Sequence, residues 1–475
     1  MPTSNLKVVP IKPAEPKAVE QRLYEARKKI YPRTVHGWFA GWRWIMVGIT
    51  QVIFYGLPWL SWNGRQAVLF DLEARKFHLF GLIFWPQDFI YLTALLVVSA
   101  LSLFLFTAIA GRLFCGYACP QTVYTEIFLW IERRIEGDRT ARIRLDQQPM
   151  SLHKFGLKTA KHAAWLAVAG WTGFTFVGYF TPIRGLAAQV AAFSLGPWQT
   201  FWIFFYSFAT YGQAGFMREQ VCKYMCPYAR FQSSMFDKDT LIITYDAERG
   251  EPRGARSKKA NPTAMGLGDC IDCNVCVHVC PTGIDIRKGL QYECIACAAC
   301  VDSCNDVMQK MGYDKGLIRY TTQHAITNGL GRRDIWRRVL RVRTLVYSAI
   351  LLGVTLAVGL SIAHRTPLKV DVIRDRGMPR EVDEGAIENV YRLQIMNTDE
   401  RPHRYHVEVN GPPGVSISSD TTFEVSGATT KAIPVRVRVP ADAGAPGSNP
   451  VWFLVRDTEN ADLRVMEKGV FLIPK

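Results

Sequence analysis

CIDCNVCVHVCP at residues 270–281 and CIACAACVDSC at residues 294–304 decide what this sequence becomes. Each run spaces four cysteines as C-x2-C-x2-C-x3-C. Three closely spaced thiolates grip three irons of a cube, and the fourth crosses to the other cube. The pattern therefore predicts two [4Fe–4S] clusters. Cys270, Cys273, Cys276 and Cys304 hold one, and Cys294, Cys297, Cys300 and Cys280 hold the other. Pro281 closes the first run as the pattern expects, whereas Asn305 stands at that place after the second. Zinc uses C-x2-C pairs separated by longer loops, so eight cysteines at this spacing would crowd tetrahedral ions. Disulfides are disfavoured in a reducing compartment. Ile271, Val275, Val277, Val279, Ile284 and Ile295 between the ligands would keep water from the cubes.

Outward from this region the chain alternates apolar runs with charged connectors. Five runs lack Asp, Glu, Lys and Arg for long enough to cross a bilayer, which takes about 20 apolar residues. They are 44–62, 89–111, 162–183, a long one within 185–217 whose first part suits the interface, and 344–363. Lys and Arg are dense before the first run, between the second and third (Arg133 to Lys161), and just before the fifth (Arg332 to Arg343). They are sparse in 63–88 and around Arg184. Positive charge marks the cytoplasmic side, so the N-terminus and residues 218–343 face the cytoplasm and the chain after Arg365 lies outside. The formal charge of +16 then reports topology and contact with anionic membrane lipid, with no nucleic-acid partner required.

This gives a multi-domain chain: a polar N-terminus (1–43), a four-helix membrane domain (44–217), and a cytoplasmic region (218–343) with a ferredoxin-like α+β domain at about 260–312. A fifth transmembrane helix (344–363) follows. From 366 to 475 the composition changes. Cysteine disappears, and short alternating runs at 391–396, 405–409, 415–418, 433–439, 451–455 and 470–473 are punctuated by NGPPG and ADAGAPG. Period-two alternation between turns predicts an antiparallel sandwich of immunoglobulin-like size.

The remaining four of the twelve cysteines form a quieter pattern. Cys115 and Cys119 in CGYACP, and Cys222 and Cys226 in CKYMCP (222–227), are two copies of C-x-Y-x-C-P. Each follows a run directed from outside to inside, so both fall at the cytoplasmic membrane face. Duplication suggests parallel repeats that bring four thiols together. A spacing of four puts both sulfurs on one face if the turn is helical. Pro120 and Pro227 favour a helix ending or restarting there. Paired soft thiolates select Cu(I), zinc or an iron–sulfur centre, and two inert buried pairs are the plain alternative. Met217, Met225 and Met235 are nearby thioethers. No histidine lies inside an apolar run, which argues against a haem held by paired transmembrane histidines. No Gly-rich nucleotide fingerprint follows a strand.

Together, the paired C-x3-C-P motifs, CPTGIDIRKGLQYECIACAACVDSC, the fifth apolar run and the terminal β-domain closely resemble the CcoG (FixG/RdxA) family of cytochrome c oxidase accessory proteins. The resemblance covers nearly everything after the polar N-terminus. It implies a bacterial inner-membrane oxidoreductase, a cupric reductase supplying Cu(I) for assembly of the cbb(3)-type oxidase. Cys115, Cys119, Cys222 and Cys226 are then copper-handling thiols. The implied partners are a cytoplasmic or quinol electron donor, copper chaperones or a P-type copper ATPase, and oxidase assembly factors. A second reading is an electron conduit resembling the polyferredoxin subunits of nitrate reductase systems. A third is a redox-sensing assembly scaffold.

Overall fold

A computed structural model describes residues 29–260, 265–375, 377, 380–382, 385–440 and 443–474. The basic N-terminal residues up to Lys28 lie outside the described residues.

The first helix, α1 (Trp38–Gly56), ends where Pro58 opens a 3-10 turn, so it sits earlier than the 44–62 run predicts. Two small antiparallel sheets follow: β1 (Ser61–Trp62) with β2 (Arg65–Gln66), and β3 (Val68–Asp71), β4 (Lys76–Leu79) and β5 (Leu82–Phe84). Helix α2 (Phe89–Ala110) returns to the end where α1 began and breaks at Gly111 (φ 56°). Next come α3 (Leu113–Tyr117), α4 (Pro120–Glu136), α5 (Arg139–Gln147) and α6 (Leu152–Val177), the last capped by Ser151 Oγ. The fourth apolar run is divided. Helix α7 (Ile183–Ala191) stops near Phe193 (φ 52°), and α8 (Pro197–Thr210) starts after Gly196 and passes into π-helical geometry over Tyr211–Met217.

Among the described residues, Pro86–Ala110 and Val342–Ala363 (α15) are the two helices long and apolar enough by themselves to cross a membrane. They lie side by side, Tyr91 Oη standing 3.0 Å from Ser361 Oγ. Their most apolar windows are unburied. Helix α8 buries no residue and exposes Phe201, Phe204, Phe205 and Phe208. A helix apolar all round and uncovered is suited to lipid, not water. Helices α6 and α8 touch closely at Gly173, where a Cβ would fall 2.5 Å from Ile203 O; small residues permit such approach between membrane helices.

Beyond α9 (Pro227–Met235) lies the ferredoxin unit. Strand β6 (Ile242–Tyr245) pairs antiparallel with β7 (Ile318–Thr321), and α10 (Ala247–Gly250), α11 (Val275–His278) and α12 (Ala299–Met311) complete it. Ile243, Tyr245, Leu317 and Ile318 share one core with Cys270 and Cys276. The unit therefore runs over 242–321, wider than the 260–312 predicted, because each flanking strand is too short to show a period. The short α13 (Gln323–Thr327) and the amphipathic α14 (Arg332–Val339) lead into α15.

The terminal region is a two-sheet sandwich. One sheet orders β12 (Ser416–Ile417), β14 (Thr430–Val439), β10 (Ile387–Asn397) and β8 (Leu368–Arg374), with β9 (Arg380–Glu381) beside β10. The other orders β13 (Thr422–Val425), β11 (His403–Asn410), β15 (Gly447–Asp457) and β16 (Arg464–Ile473). Tyr391, Tyr405, Phe453 and Phe471 fill the space between them. The sandwich docks on the small sheets. Ile83 and Trp85 pack against Met396, Arg65 pairs with Glu400 at 2.7 Å, and Arg365 and Lys369 both reach buried Asp88. The sandwich and the cysteines thus occupy opposite ends of α1 and α2.

Candidate functional site

In the ferredoxin unit Cys270, Cys273, Cys276 and Cys304 line one small cavity. Cys280, Cys294, Cys297 and Cys300 line a second, with Cys276 at its edge. The fourth cysteine of each run lies with the other run's first three, as the spacing predicts. Helix α12 makes this crossing, because it carries Cys300 at one cavity and Cys304 at the other.

The two loops repeat one backbone solution. Asp272 and Asn274 flank Cys273 at φ 50° and 57°, and Ala296 and Ala298 flank Cys297 at φ 54° and 58°. Left-handed geometry costs an alanine about 1–2 kcal/mol, so its recurrence at matching offsets means the surroundings enforce it. Left-handed residues in such loops turn successive N–H groups to one side, forming the anion nest common at iron–sulfur sites. The first loop is pinned by Arg287, which reaches Asp272 Oδ1 and Asn274 Oδ1, both at 2.6 Å. The second is pinned by the Tyr320 hydroxyl, which donates to Ala296 O at 2.5 Å.

Burial pushes the Cys304 thiol up to about 12, and its neighbours Cys276, Cys270 and Cys273 add to the effect. Burial likewise carries Cys294 to about 12, with Cys280 and Cys297 reinforcing it. Thiols crowded this way need nearby positive charge to ionise. Four convergent sulfurs per cavity, apolar walls and the inward nest fit a [4Fe–4S] group. Among the described residues no three Cys, His, Asp or Glu side chains close as tightly as a single metal ion requires.

The C-x-Y-x-C-P motifs converge on the same place. Cys115 lies in α3, but Cys119 is the extended N-cap of α4 with Pro120 as its first residue. Cys222 lies in a π-helical turn (Val221–Met225), and Cys226 is the extended N-cap of α9 ahead of Pro227. The two sulfurs of a motif therefore do not share one helical face, because the first helical turn ends before the second cysteine and the proline restarts a helix only after it. Proline at a first helical position loses no backbone bond.

Buried ionic contacts bring the motifs together. Glu132 of α4 meets Arg142 at 2.9 Å and Arg218, four residues before Cys222, at 3.1 Å. Gln121 Nε2 donates to Gln213 O and Arg218 O, each at 3.1 Å. Burial raises Cys115 to about 12, aided by Cys119 and Cys222 and opposed by Arg112. Burial raises Cys222 to about 11, with Cys119 and Cys226 adding to it. The Cys119 thiol is also raised by burial, against N–H donation from Gln121 and Thr122 at the start of α4.

Cys115 and Cys222 pack against the cluster of Val279, Ile295, Cys297 and Ala299, of which the last three also line the second cavity. Gly116 makes this approach possible: a Cβ there would fall 2.7 Å from Ile295 O and 2.9 Å from Ala296 O. Buried Arg112 donates to Tyr292 O and Ala229 O, tying the ferredoxin unit to α9. Arg112, Gly116, Arg287 and Tyr320 all escape a reading based on cysteine spacing, since single residues acting through folded contacts leave no periodic signal. Met225 is 55% exposed.

Residues 217–323 match the family model for the 4Fe-4S dicluster domain, and residues 92–137 match that for the 4Fe-4S binding domain. Residues 358–474 match the model for the IG-like fold at the C-terminal of FixG. The nitrogen fixation protein FixG of Rhizobium meliloti is 39% identical over 83% of this chain and 82% of its own. This chain belongs to the FixG/RdxA family. Protein RdxA of Cereibacter sphaeroides is 38% identical over 90% of this chain and 92% of its own. Ferredoxin-type protein NapH of Haemophilus influenzae is 23% identical over 46% of this chain and 68% of its own. Within this group the chain is an iron–sulfur electron-transfer protein with a terminal immunoglobulin-like domain.

Proposed function

We propose that this protein is a five-span inner-membrane reductase that delivers electrons to copper at its membrane-face thiols. One observation carries the reading: Cys115 and Cys222 pack on the apolar cluster that contains Cys297 and Ile295. In this reading Cys270, Cys273, Cys276 and Cys304 hold one [4Fe–4S] cluster, and Cys280, Cys294, Cys297 and Cys300 hold the other. Such clusters supply one-electron carriers.

The substrate is Cu(II), an ion that prefers tetragonal nitrogen and oxygen ligands. Cys115, Cys119, Cys222 and Cys226 offer sulfur, which favours Cu(I). One electron converts the first into the second, and the thiol site holds the product better than the substrate. Arg112 beside Cys115 and Cys222 favours their ionised forms, and apolar Ile295 and Val279 exclude water. Separation of the sandwich from the cysteines along α1 and α2 supports a cytoplasmic site and a periplasmic β-domain. That domain would dock the assembly partners of a cbb(3)-type oxidase.

A second reading is that the four thiols hold a further iron–sulfur group in an electron conduit. It is favoured by the match of residues 92–137, with Cys115 and Cys119, to a 4Fe-4S binding domain. The test is anaerobic reduction of Cu(II) by dithionite-reduced, desalted protein with a Cu(I)-specific chelator present. Stoichiometric Cu(I) supports the reductase. Its absence from protein with intact iron–sulfur absorbance sinks it.

A further inference from the structure

A buried guanidinium of α1 stands behind the second cysteine cavity. Arg43 shares one cavity with Ala299 and a smaller one with Thr282 and Ile295. Those three residues also line the space between Cys280, Cys294, Cys297 and Cys300, so a single layer of side chains separates the charge from it. Arg43 is 9% exposed. The carboxylate it pairs with, Glu126 of α4, lies 3.9 Å away and holds Arg133 more closely, at 2.9 Å. Among the described residues the Arg43 Nε has no hydrogen-bond partner. Asp302, another buried carboxylate nearby, is occupied by the N–H groups of Phe39 and Ala40 at the start of α1. Burial raises the Cys297 thiol, and the Arg43 charge is the foremost influence against it.

The first cavity is built differently. Arg287 lines it, but Asp272 and Asp285 hold that guanidinium at 2.6 and 2.8 Å. A cation matched by two carboxylates adds little net field. A buried cation that shares one carboxylate with a second arginine is unfavourable unless another anion completes its partnership. We infer that Arg43 is the countercharge of the second [4Fe–4S] cluster and raises that cluster's reduction potential, drawing electrons to the side where Cys115 and Cys222 pack. Reduction adds one electron to a group that its thiolates already make negative, and nearby net charge is one of the levers on its potential. A fixed positive charge in a water-poor interior favours the more negative, reduced form. The inference rests on the reading that the second cavity holds a [4Fe–4S] cluster, and adds to it the residue that displaces its potential.

The test is a redox titration of anaerobically purified full-length protein, with dithionite as reductant and mediator dyes, followed by electron paramagnetic resonance. The second cluster's signal is the one missing from Cys297→Ser. Arg43→Gln should lower the reduced-to-oxidised ratio of that cluster at least tenfold at a fixed potential, a midpoint shift of about 59 mV for one electron. Arg43→Lys, which keeps the charge, should restore at least half of the loss. Glu126→Gln removes the opposing charge and should move the same midpoint upward. The first cluster's midpoint should stay in place in all three. A packing defect would not give shifts of opposite sign at Arg43 and Glu126. Shifts of the same sign, an unmoved second cluster, or equal shifts of both clusters would overturn the inference. If Arg43→Gln does not retain iron, the upward shift in Glu126→Gln and the retained midpoint in Arg43→Lys decide it. Iron and acid-labile sulfide are measured on the same samples. Two intact clusters with unmoved midpoints defeat this inference alone, whereas unmodified protein without iron and sulfide defeats the cluster reading beneath it.

Discussion

Gly116→Ala should uncouple the membrane-face thiols from the second cavity while leaving every cysteine in place. The added Cβ would stand 2.7 Å from Ile295 O, 2.9 Å from Ala296 O and 3.0 Å from Ala296 C, all backbone atoms of the loop between Cys294 and Cys297. Ordinary contact begins near 3.4 Å, so α3 and the loop must separate by about 0.7 Å. Overpacking of this kind costs about 1–3 kcal/mol. Replacing glycine in helix α3 returns about 0.5–1 kcal/mol of backbone entropy, leaving a net loss of about 0–2.5 kcal/mol at the junction. A shift of 1.4 kcal/mol is tenfold in an equilibrium, so loop opening should become up to about sixty times more frequent. The assay is iron release to a chelator under anaerobic conditions, followed together with amide exchange over residues 294–298. Faster release of part of the iron and faster exchange in that loop are expected. Lys223 occupies the matching place in the second motif, so Lys223→Ala serves as control and should behave as unmodified protein. Equal iron release by Gly116→Ala and Lys223→Ala, with unchanged exchange, would refute the contact as a determinant of the site.

Three further outcomes are expected. Cys273→Ser should lose mainly one cluster and Cys297→Ser mainly the other, each leaving about half of the roughly eight irons that two cubes contain; zinc in place of iron would contradict this. Reporter fusions after Thr366 should read as periplasmic and fusions near Lys259 as cytoplasmic, and two fusions on one side would remove a span. His403 of the sandwich bonds Asp457 at 2.6 Å and Asp399 at 3.2 Å. Burial lowers its pKa, but the two carboxylates outweigh this and leave it raised. Its contribution, about 1 kcal/mol, is therefore fully present below about pH 6.5 and fades as pH rises through the folded-state value. Denaturation of the β-domain, followed by exchange across β11 and β15, should show that loss as pH rises above about 6.5 in unmodified protein. His403→Gln should show none, and an identical pH profile in both would reject the assignment.

The clustering of eight cysteines into two sets of four was legible because their spacing is set by the loop that must wrap the group. The sandwich was legible through period-two alternation, although β8 and β13 escaped notice beside turns and charge. The five apolar runs became helices, but their limits moved. Pro58 ended the first early, and the turn near Phe193 divided the fourth. Two of the five are apolar enough to stand as membrane spans by composition alone, since α1 and α6 carry polar and charged residues toward the cysteine end. The convergence of the two C-x-Y-x-C-P motifs was legible from their duplication. Its means was not, because Glu132 with Arg218, and Gly116 against Ile295, are contacts between residues far apart in sequence.

The central claim is that the four membrane-face cysteines act as one copper-reducing unit beside the second cavity. It is tested most directly by measuring Cu(I) formation, iron and acid-labile sulfide together in Cys115→Ser/Cys119→Ser and in the protein with all four changed to Ser. The account predicts that both lose Cu(I) formation to about the same extent, because groups acting as a unit are non-additive, while iron and sulfide stay near the unmodified level. Cu(II) reduction at the original rate in the four-Ser protein would contradict it, and loss of a further portion of iron and sulfide would assign the cysteines to another cluster instead.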